Sequence, residues 1–579
     1  VYAPIGFLSG LTGTLFTEFA FTLAGAVIVS GIVALTLSPM MCAWLLQSHG
    51  DQGTMADWLD MRFEQLRVSY HRALAICLSH RGAVALFCAV IISSLPFLFS
   101  VTRSELAPAE DQGIIFVTAK KPQVGNVEYI NRFTATFEPI YNTLPEYQGS
   151  FRFNTSNGTF GGMILQPWQE RQRSQQEIQA ELQGKFAQNP GLSIFTFSSP
   201  PLPGASSGLP VQFVIAGTGD YEAVYQLAER VAQAARQSGK FRFVENSLKF
   251  NRPEVTVSIN RAKAANLGIS MRSIGDTLSV MLGEGELNRF SMEGRSYKVI
   301  PQAGRDFRLS KEWLERYYVR TESGELVPLS TVIELGHSIE PNNLTQYQQL
   351  NSATIQGMLA PGVSLGEALT FLEEKTRAIA PPGFRIGYEG QSRQFIQEGS
   401  SVAALFGVSL VAIFLVLAAQ FNSFRDPLVI LLSVPMSVFG AALPLVLGFT
   451  TFNIYTQVGL LTLIGLISKH GILIVEFANE RLQVGLDARD AVLEAASLRL
   501  RPVLMTTAAT VLGVVPLLIA AGAGANSRFS IGLVISWGMV IGTLFTLFVV
   551  PVFYLLMHRL QARRRTASMD TRPVEVAAD

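Results

Sequence analysis

Seven apolar runs, each about long enough to cross a bilayer as a helix, dominate this sequence. They cover residues 15–37, 83–100, 402–420, 428–447, 456–478, 504–521 and 529–556. A long polar stretch, 101–401, separates the first two runs from the rest. Hydrophobic residues make up 49% of the chain and charged residues only 15%, which is too apolar for an ordinary soluble protein. We therefore expect a polytopic α-helical membrane protein with a large region outside the bilayer.

The distribution of arginine predicts the orientation of these runs. The basic connections hold the arginines of residues 62–81, 425, 481–501 and 559–565. The short connections on the opposite side hold only Arg528. Because basic connections stay in the cytoplasm, the polar stretch is expected to project outward, into the periplasm or its equivalent.

The first residues indicate how the chain fits into a larger protein. VYAPIGFLSG, starting at Val1, is typical of the end of an apolar helix and a turn, not of a signal peptide. We expect the chain to be part of a longer protein in which its first span ends a first half. The expected segments are 1–40 with the end of one span and the last span of the first half, a cytoplasmic loop or amphipathic helix at 41–82, a first span of the second half at 83–100, a five-span bundle at 402–556 and a cytoplasmic tail at 557–579.

One apolar run carries a charge near its middle. Residues 456–480 place Lys469 on an apolar helix, and Thr462, Gly465 and Glu476 share its helical face. A charge inside a membrane costs roughly 2.5–3.5 kcal/mol on insertion scales and usually marks a functional site. One interpretation is therefore an ion or proton relay with a carboxylate partner. The alternative is a structural lysine that snorkels, or pairs to orient two helices.

The next run has a comparable polar face. Arg499, Thr506 and Gly513 lie seven residues apart on one side of a helix, and this side could meet the face of Lys469. Alternatively, the arginine anchors the helix at the interface and the threonine bonds to its own backbone. His470 lies about 100° round the helix from Lys469, so both a direct role and ordinary packing remain open.

The polar stretch has an alternating pattern that predicts α+β subdomains. Residues 101–200 form a β-α-β-β-α-β series, with strands or helices at 114–120, 126–142, 151–154, 163–168, 174–188 and 192–197. A second such unit, 201–249 with 345–390, has helices capped by Asp220 and Ser364. We expect ferredoxin-like β-α-β-β-α-β subdomains in a periplasmic region.

Three further segments complete the predicted organisation of the polar stretch. Residues 250–344 interrupt the second unit and are expected to form a separate inserted lobe. The Pro- and Gly-rich segment 198–208 is predicted to be a hinge. Residues 391–401 have polar helical character before a span, which is consistent with a stalk that couples the outer region to the membrane or with an inert linker.

Composition and missing motifs exclude several function classes. A formal net charge of +1 provides no basic field for nucleic acid. The cysteines are confined to the membrane region and its flanks, which argues against disulfides or Cys-based metal sites in the polar stretch. The sequence has no GxxxxGK[ST], HExxH or CxxC motif. It therefore offers no support for ATP-driven transport, and we expect a protein that is not an enzyme.

Five stretches together resemble the resistance-nodulation-division (RND) superfamily of transporters, most closely the AcrB-like permeases of its hydrophobe/amphiphile efflux branch. They are LSPMMCAWLL at 37–46, PAEDQGIIF at 108–116, YTQVGLLTLIGLISKHGILIVEFANE at 455–480, RLRPVLMTTAATVLGVVPLLIAAGAG at 499–524 and VVPVFYLL at 549–556. The resemblance covers essentially the whole chain. It implies the C-terminal half of a permease together with the last span of the N-terminal half.

This resemblance implies proton-driven efflux of drugs and other amphiphilic molecules, without a cofactor. It also implies a homotrimer in the bacterial inner membrane, working with a periplasmic adaptor and an outer-membrane channel, to which the inserted lobe would dock. Lys469, Thr506 and Arg499 match residues of the family's proton relay. The two aspartates that pair with the lysine lie on a span of the first half and are not in this chain.

The resemblance also points to a substrate site. Phe151 matches an aromatic residue of the family's drug pocket, and Phe160 lies in the stretch that matches the family's switch loop, here NTSNGTFGGM at 154–163. This stretch is several residues shorter than in the AcrB type, and Gly162 replaces an aromatic residue. Without the resemblance, both phenylalanines are interpreted as core packing.

Two other functions fit the same general architecture. A metal-exporting RND protein would need clustered soft ligands, whereas the methionines of the outward region show no evident cluster in the sequence: Met163, Met271, Met281, Met292 and Met358. A proton-coupled protein-export helper or a membrane receptor would bind a polypeptide or ligand without passing it on. The split second unit with its large insertion favours an exporter by analogy.

Overall fold

The computed structural model describes residues 10–45, 54–202, 208–283 and 285–570. The chain forms two compact units, one of Val1–Asn246 with Tyr347–Asp579 and one of Ser247–Gln346. The predicted inserted lobe, 250–344, lies within the second unit. The first nine residues, part of the predicted cytoplasmic loop, the middle of the predicted hinge and the end of the predicted tail lie outside the described residues.

We call the two predicted β-α-β-β-α-β units the first and second porter subdomains, after the family that the sequence resembles. The first is a four-stranded sheet with helices on one face. Its order along the chain, after α1 (Gly10–Leu45), α2 (Thr54–Ser79) and α3 (Arg81–Val101), is β1 (Ile114–Lys120), α4 (Val127–Thr134), α5 (Phe137–Tyr141), β2 (Tyr147–Thr155), β3 (Gly158–Leu165), α6 (Gln175–Phe186) and β4 (Ser193–Ser198). The strands pair in the order β2-β3-β1-β4, and every pair is antiparallel. The helix predicted at 126–142 is broken into α4 and α5, because Pro139 has no N–H to donate to the preceding turn.

The second porter subdomain begins before the inserted unit and is completed after it. It opens with β5 (Val211–Gly217), α7 (Tyr221–Gln237) and β6 (Phe241–Asn246). The inserted unit contains β7 (Phe250–Ile259), α8 (Arg261–Asn266), α9 (Met271–Leu282), β8 (Asn288–Met292), β9 (Arg295–Val299), α10 (Glu312–Arg316), β10 (Tyr318–Arg320), β11 (Leu326–Pro328) and β12 (Ile333–Pro341). After β13 (Thr345–Tyr347), the sheet is completed by β14 (Leu350–Leu359), α11 (Leu365–Ile379) and β15 (Phe384–Tyr388). Strand β14 pairs with both β5 and β6, so the two halves of this subdomain share one sheet.

The membrane bundle follows without interruption. It consists of α12 (Gly390–Phe421), α13 (Asp426–Leu431), α14 (Ser433–Val446), α15 (Ile454–Gln483), α16 (Ala488–Leu518) and α17 (Ala525–Asp570). Six of the seven predicted spans have a described helix long and apolar enough to cross a membrane. The prediction at 402–420 falls on α12, whose described apolar part is Leu405–Phe421; the side chains of 400–404 lie outside the described residues.

Helix α12 runs from the second porter subdomain into the bundle without a break. The predicted stalk, 391–401, is therefore part of a longer helix. Its first turn is fixed to β5, because the Ser392 hydroxyl accepts the Gln212 N–H at 3.0 Å and donates to the Pro210 carbonyl at 3.1 Å. A continuous helix transmits displacement better than a flexible linker would.

Helix α15 lies at the centre of the bundle, and it is the most buried of the described spans. Its start is defined by Asn453, whose side chain accepts the N–H groups of Tyr455 and Thr456. The Thr456 hydroxyl donates to the neighbouring backbone and accepts the Asn453 N–H at 2.8 Å, which completes a reciprocal cap. This well-defined start fixes which residues of α15 face each neighbouring helix.

Glycines in α17 allow the helices around it to approach closely. Gly538 and Gly542 form a GxxxG pair, and each lies at a contact with another helix. A Cβ atom at Gly538 would lie 2.2 Å from Leu463 Cδ2, and one at Gly542 would lie 2.5 Å from Ser437 Cβ. The pair therefore packs α17 against both α15 and α14.

We expect Gly542→Ala to destabilise the bundle by about 1–3 kcal/mol, because the new methyl group overlaps Ser437 and overpacked contacts have costs of this size. The matched control is Gly513→Ala in α16, where a Cβ atom has no neighbour within 4 Å. Thermal unfolding of the two purified variants in the same detergent measures the difference. Equal unfolding midpoints would show that the contact between α17 and α14 is not tight.

Candidate functional site

The predicted polar face of α15 is only partly open. Lys469 and Glu476 are exposed, whereas Thr462 is buried with no hydrogen-bond partner for its hydroxyl among the described residues. Lys469 forms no ion pair or hydrogen bond with any residue that the structure describes. The ammonium group thus lies in the middle of an apolar helix with nothing to compensate its charge in the described part of the chain.

Thr506 meets His470, not the lysine. The imidazole Nε2 lies 3.2 Å from the Thr506 hydroxyl, and that hydroxyl donates to the Val503 carbonyl at 2.9 Å. On the other side of the ring, Nδ1 lies 3.3 Å from the Thr543 hydroxyl, which is 3.0 Å from the hydroxyl of Thr507. His470 is only 1% exposed. A buried polar cluster therefore links α15, α16 and α17.

Arg499 lies further along the same helices, two turns from Thr506. Its guanidinium lies over the ring of Phe477, with Cζ 4.7 Å from the ring centroid. Arg481 contacts the same ring at 4.8 Å and pairs with Glu494 at 3.4 Å. Nε of Arg499 is buried and has no hydrogen-bond partner among the described residues. The structure therefore places Arg499 in a cation–π contact at one end of the polar face, not in the cluster around His470.

A second candidate site is the open face of the first porter sheet, which carries phenylalanines from all four strands. Phe116 of β1 is its centre, stacked at 5.6 Å on Phe160 of β3 and at 5.7 Å on Phe197 of β4. It also meets Phe151 of β2 edge-on at 6.2 Å, and Phe151 contacts Phe153 at 6.1 Å. We call these five residues the aromatic face.

The aromatic face is distinct from the core of the subdomain. Alternate residues of β1, such as Ile115 and Val117, are fully buried under α4, α5 and α6. In contrast, Phe160 is 37% exposed and Phe153 is 62% exposed. Phe197, at the β4 end of the face, is buried at 8% exposure. The sheet thus presents a contiguous aromatic surface that is open at Phe153 and Phe160, which is the kind of surface that marks ligand or partner sites.

The interpretation of Phe160 as a loop residue is wrong. Strand β3 begins at Gly158, and only two residues separate it from β2, which ends at Thr155. Phe160 pairs with Phe153 across these strands. The turn is tight because Gly158 takes a φ of +151° and a Cβ atom there would lie 2.6 Å from the Ala119 carbonyl oxygen.

Gly162 has a clear structural role beside the aromatic face. It pairs with Phe116 on one side and with Phe151 on the other. A Cβ atom at this position would lie 2.9 Å from two ring atoms of Phe151. The ring of Phe151 therefore occupies the space that an aromatic residue at this position would fill.

Two adjacent carboxylates connect the aromatic sheet to the membrane bundle. Glu110 accepts the Ser527 N–H at 2.7 Å and the Asn526 N–H at 3.3 Å, so it caps the start of α17. Asp111 accepts two hydrogen bonds from Arg171, at 2.5 and 2.9 Å, and one from the Gln175 N–H at 2.9 Å. Two consecutive residues thus bind different elements: Glu110 binds the start of α17, and Asp111 binds Arg171 of the first porter subdomain.

Asp111 titrates below its usual range. Burial by itself raises the pKa of this carboxyl group, but hydrogen bonds from Arg171, the Gln175 N–H and Trp168 together outweigh burial and lower it. The Arg171 side chain is only 2% exposed, so its charge depends on this partner. The pair is therefore a rigid, charged connection and not a surface ion pair.

One short stretch matches an enzyme motif but has a structural role. Residues 362–366, GVSLG, have the form GxSxG of a nucleophile elbow. Ser364 is 7% exposed, and its hydroxyl accepts the Glu367 N–H at the start of α11. Glu367 does not complete a capping box in this structure, because its carboxylate pairs with Lys240. No histidine lies among the residues that line the neighbouring cavity in the described part of the chain.

No metal centre emerges from the side chains that the structure describes. These residues contain no group of three or more His, Cys, Asp and Glu side chains placed to hold an ion. Among the methionines, Met163 is fully buried in the core of the first porter subdomain. A soft-metal site at this position would require the core to open.

Comparisons with known proteins now identify the type of protein. The model of the AcrB/AcrD/AcrF family matches residues 1–558. The chain belongs to the AcrB/AcrD/AcrF family. A transporter of Haemophilus influenzae whose function is uncharacterised is 42% identical over 96% of this chain and 55% of its own length. The multidrug resistance protein MdtF of Escherichia coli K12 is 32% identical, over 98% of the chain and 56% of MdtF.

Other relatives of the AcrB/AcrD/AcrF family give the same result. The multidrug/solvent efflux pump membrane transporter MepB of Pseudomonas putida is 31% identical over 97% of the chain and 55% of its own length. The chain spans about half the length of the curated relatives it matches. The family confirms the resemblance predicted from the sequence, and it is a family of membrane transporters, not enzymes.

Sequence reasoning missed several residues that the structure groups with the predicted ones. Phe116 and Phe197 belong to the aromatic face, and the alternation along β1 and β4 could have placed them there. Thr543 and Thr507 belong to the cluster around His470. No local pattern reveals this contact, because it depends on how α17 is rotated in the bundle.

Asp111→Asn is expected to destabilise the protein near neutral pH by about 3 kcal/mol, because it leaves the buried Arg171 charge without its ionic partner. The lowered pKa means that the stabilisation is complete above pH ~4 and is lost as pH falls through the lower folded value. The difference between wild type and variant should therefore shrink in acid. Urea unfolding at a series of pH values measures it.

The control for this experiment is Asp276→Asn, which removes an exposed ion pair with Arg272 at 3.7 Å. Exposed pairs of this kind contribute little to stability. If Asp111→Asn were as stable as this control near neutral pH, or if its deficit stayed constant in acid, the proposed charged connection would be contradicted.

Proposed function

We propose that this chain forms the transmembrane and porter parts of an efflux pump that uses the proton-motive force to export drugs and other amphiphilic molecules. It would act in the bacterial inner membrane, with the porter region in the periplasm, as a homotrimer with a periplasmic adaptor and an outer-membrane channel. The family and two of its members, a multidrug resistance protein and a multidrug/solvent efflux pump, support efflux of drugs and solvents. No cofactor is needed in this proposal.

The observation that carries the proposal is the aromatic face. Phe116, Phe151, Phe160 and their neighbours offer ring faces and edges at one surface of the sheet. Such a surface binds by area and by ring stacking, so it tolerates ligands of different shapes. This tolerance is what an exporter of chemically diverse amphiphiles requires.

We assign Lys469, Thr506 and Arg499 to the proton relay. An exposed ammonium on an apolar helix is stable in a membrane only when a carboxylate or water compensates its charge. The described residues do not supply that carboxylate, so a segment beyond them would pack on the open stripe of Lys469 and Glu476. Protonation of its carboxylates would remove the attraction for Lys469 and release α15.

Two connections would carry this movement to the aromatic face. Helix α12 joins the bundle to β5 of the second porter subdomain without a break. Glu110 and Asp111 join the start of α17 to the first subdomain. A shift of the bundle would therefore reposition both porter subdomains, as alternating access requires.

A metal-exporting pump is the main alternative within the same superfamily. The burial of Met163, and the lack of a His, Cys, Asp or Glu cluster in the described residues, disfavour it. A proton-coupled protein-export helper or a membrane receptor would not need an open aromatic surface suited to small amphiphiles. Export assays with amphiphilic dyes and with copper or silver salts separate these alternatives.

Lys469→Arg tests the relay against a structural lysine. Arginine keeps the positive charge and any ion pair, but it is not deprotonated in proteins. We expect both Lys469→Ala and Lys469→Arg to abolish export of an amphiphilic dye driven by a pH gradient in proteoliposomes, using the protein at its natural length. If Lys469→Arg exports the dye at the wild-type rate, the lysine is structural and the relay assignment is wrong.

Gly162→Ala tests the aromatic face. The added methyl group must displace the Phe151 ring, so we expect altered dye selectivity, with changes of about 10-fold for bulky dyes if roughly 1.4 kcal/mol of ring contact is lost. Gly149→Ala on β2 is the matched control, because a Cβ atom there meets nothing within 4 Å. Fluorescence titration of the purified protein measures dye affinity. Identical dye profiles for both variants would contradict a substrate role for this face.

A further inference from the structure

His470 is a buried residue of the bundle to which the proposed proton relay assigns no role. It follows Lys469 directly on α15 and points about 100° away from it, into the helix contacts. Both ring nitrogens lie within hydrogen-bond distance of a threonine hydroxyl, one on α16 and one on α17. The His470 side chain therefore links α15, α16 and α17, and it lies next to the charged side chain of Lys469.

The hydrogen-bond partners determine the arrangement of protons in this cluster. A hydroxyl has one proton, and that of Thr506 is directed at the Val503 carbonyl, 2.9 Å away. The Thr506 oxygen therefore accepts from His470, which assigns the ring proton to Nε2. Nδ1 then accepts from the hydroxyl of Thr543. In this arrangement the neutral imidazole uses its one donor and its one acceptor.

The surroundings of the ring contain no other charge. The turns of α16 and α17 that carry Thr506, Thr507 and Thr543 have no charged or titratable side chain in residues 503–510 and 539–547, all of which the structure describes. Lys469 is the only ionisable neighbour within one turn on α15. The cluster is thus suited to orient a hydroxyl and not to hold an ion pair.

We propose that His470 is a positioning residue that fixes the Thr506 hydroxyl for the proton relay, with Thr543 holding the imidazole on its other side. The inference rests on the proposed function, since it presupposes that Thr506 takes part in the relay. Because His470 and Lys469 are consecutive on α15, any rotation of this helix that follows a change in charge at the lysine carries the imidazole with it. The Thr506 hydroxyl and α17 then respond to the same rotation.

Paired substitutions at residue 470 test the proposal in the protein at its natural length. His470→Gln keeps a donor near the position of Nε2, whereas His470→Asn keeps a polar group only near Nδ1. We expect His470→Ala and His470→Asn to slow dye export driven by a pH gradient by about fivefold, as for the loss of one oriented hydrogen bond. His470→Gln should recover most of the rate. Equal rates for the Gln and Asn variants would overturn the proposal, even if the Ala variant fails to fold.

A double-mutant cycle adds a measurement that a purely structural role would not affect. We expect Thr506→Ala to slow export and His470→Ala to add little to that loss, because both remove the same contact. Full additivity would overturn the proposal. The pH–rate profile of His470→Gln should run parallel to that of wild type, whereas loss of the pH dependence would show that the imidazole carries the proton itself and would also overturn it.

Two controls separate failure of this inference from failure of the proposed function. His71→Ala removes a similar histidine contact to α16, with Nδ1 3.1 Å from the Ser497 hydroxyl, and should leave export unchanged. A slower His71→Ala variant would show that any lost contact to α16 slows export, which would overturn a special role for His470. Lys469→Ala is measured in parallel. If this variant exports dye at the wild-type rate, the relay assignment is wrong. If Lys469→Ala is slow and the residue 470 variants match wild type, the relay assignment stands and the positioning role of His470 is rejected.

Discussion

The uncompensated ammonium of Lys469 is the constraint on which the rest of the membrane bundle depends. A charge in the middle of an apolar helix costs roughly 2.5–3.5 kcal/mol, so the bundle must provide a partner or bury the helix elsewhere. Helix α15 is otherwise the most buried span, capped at Asn453 and packed closely against α17 through Gly538. The exposed residues of α15 are Lys469 and Glu476, with Glu480 and Gln483 near its end. A partner for the ammonium would therefore pack on the stripe of Lys469 and Glu476.

Contacts between neighbouring elements connect the stripe of Lys469 and Glu476 to the rest of the molecule. His470 contacts both α16 and α17, and α17 begins at a cap supplied by Glu110. The next residue, Asp111, holds Arg171 in the first porter subdomain, whose open face carries the phenylalanines. These are contiguous contacts between rigid elements, which is the arrangement that coupling between distant sites requires.

The sequence predicted the parts of this structure that follow from local periodicity. Apolar runs located six spans, and alternation located β1, because both patterns arise within one element. The interpretation of Phe160 as a loop residue is wrong because only two residues separate β2 from β3, and Gly158 closes them into a tight hairpin. The contact of His470 with Thr543, 73 residues away, depends on helix rotation and could not be predicted from any local pattern.

The central claim is that movement of an amphiphile through this protein is coupled to proton flow at Lys469. The most direct test is to record proton flux across proteoliposomes that contain the protein at its natural length, before and after an amphiphilic dye is added. The account predicts a dye-dependent proton flux in wild type that disappears in Lys469→Ala at equal protein content. Dye transport without any accompanying proton flux, or a dye-dependent proton flux that persists in the variant, would contradict it.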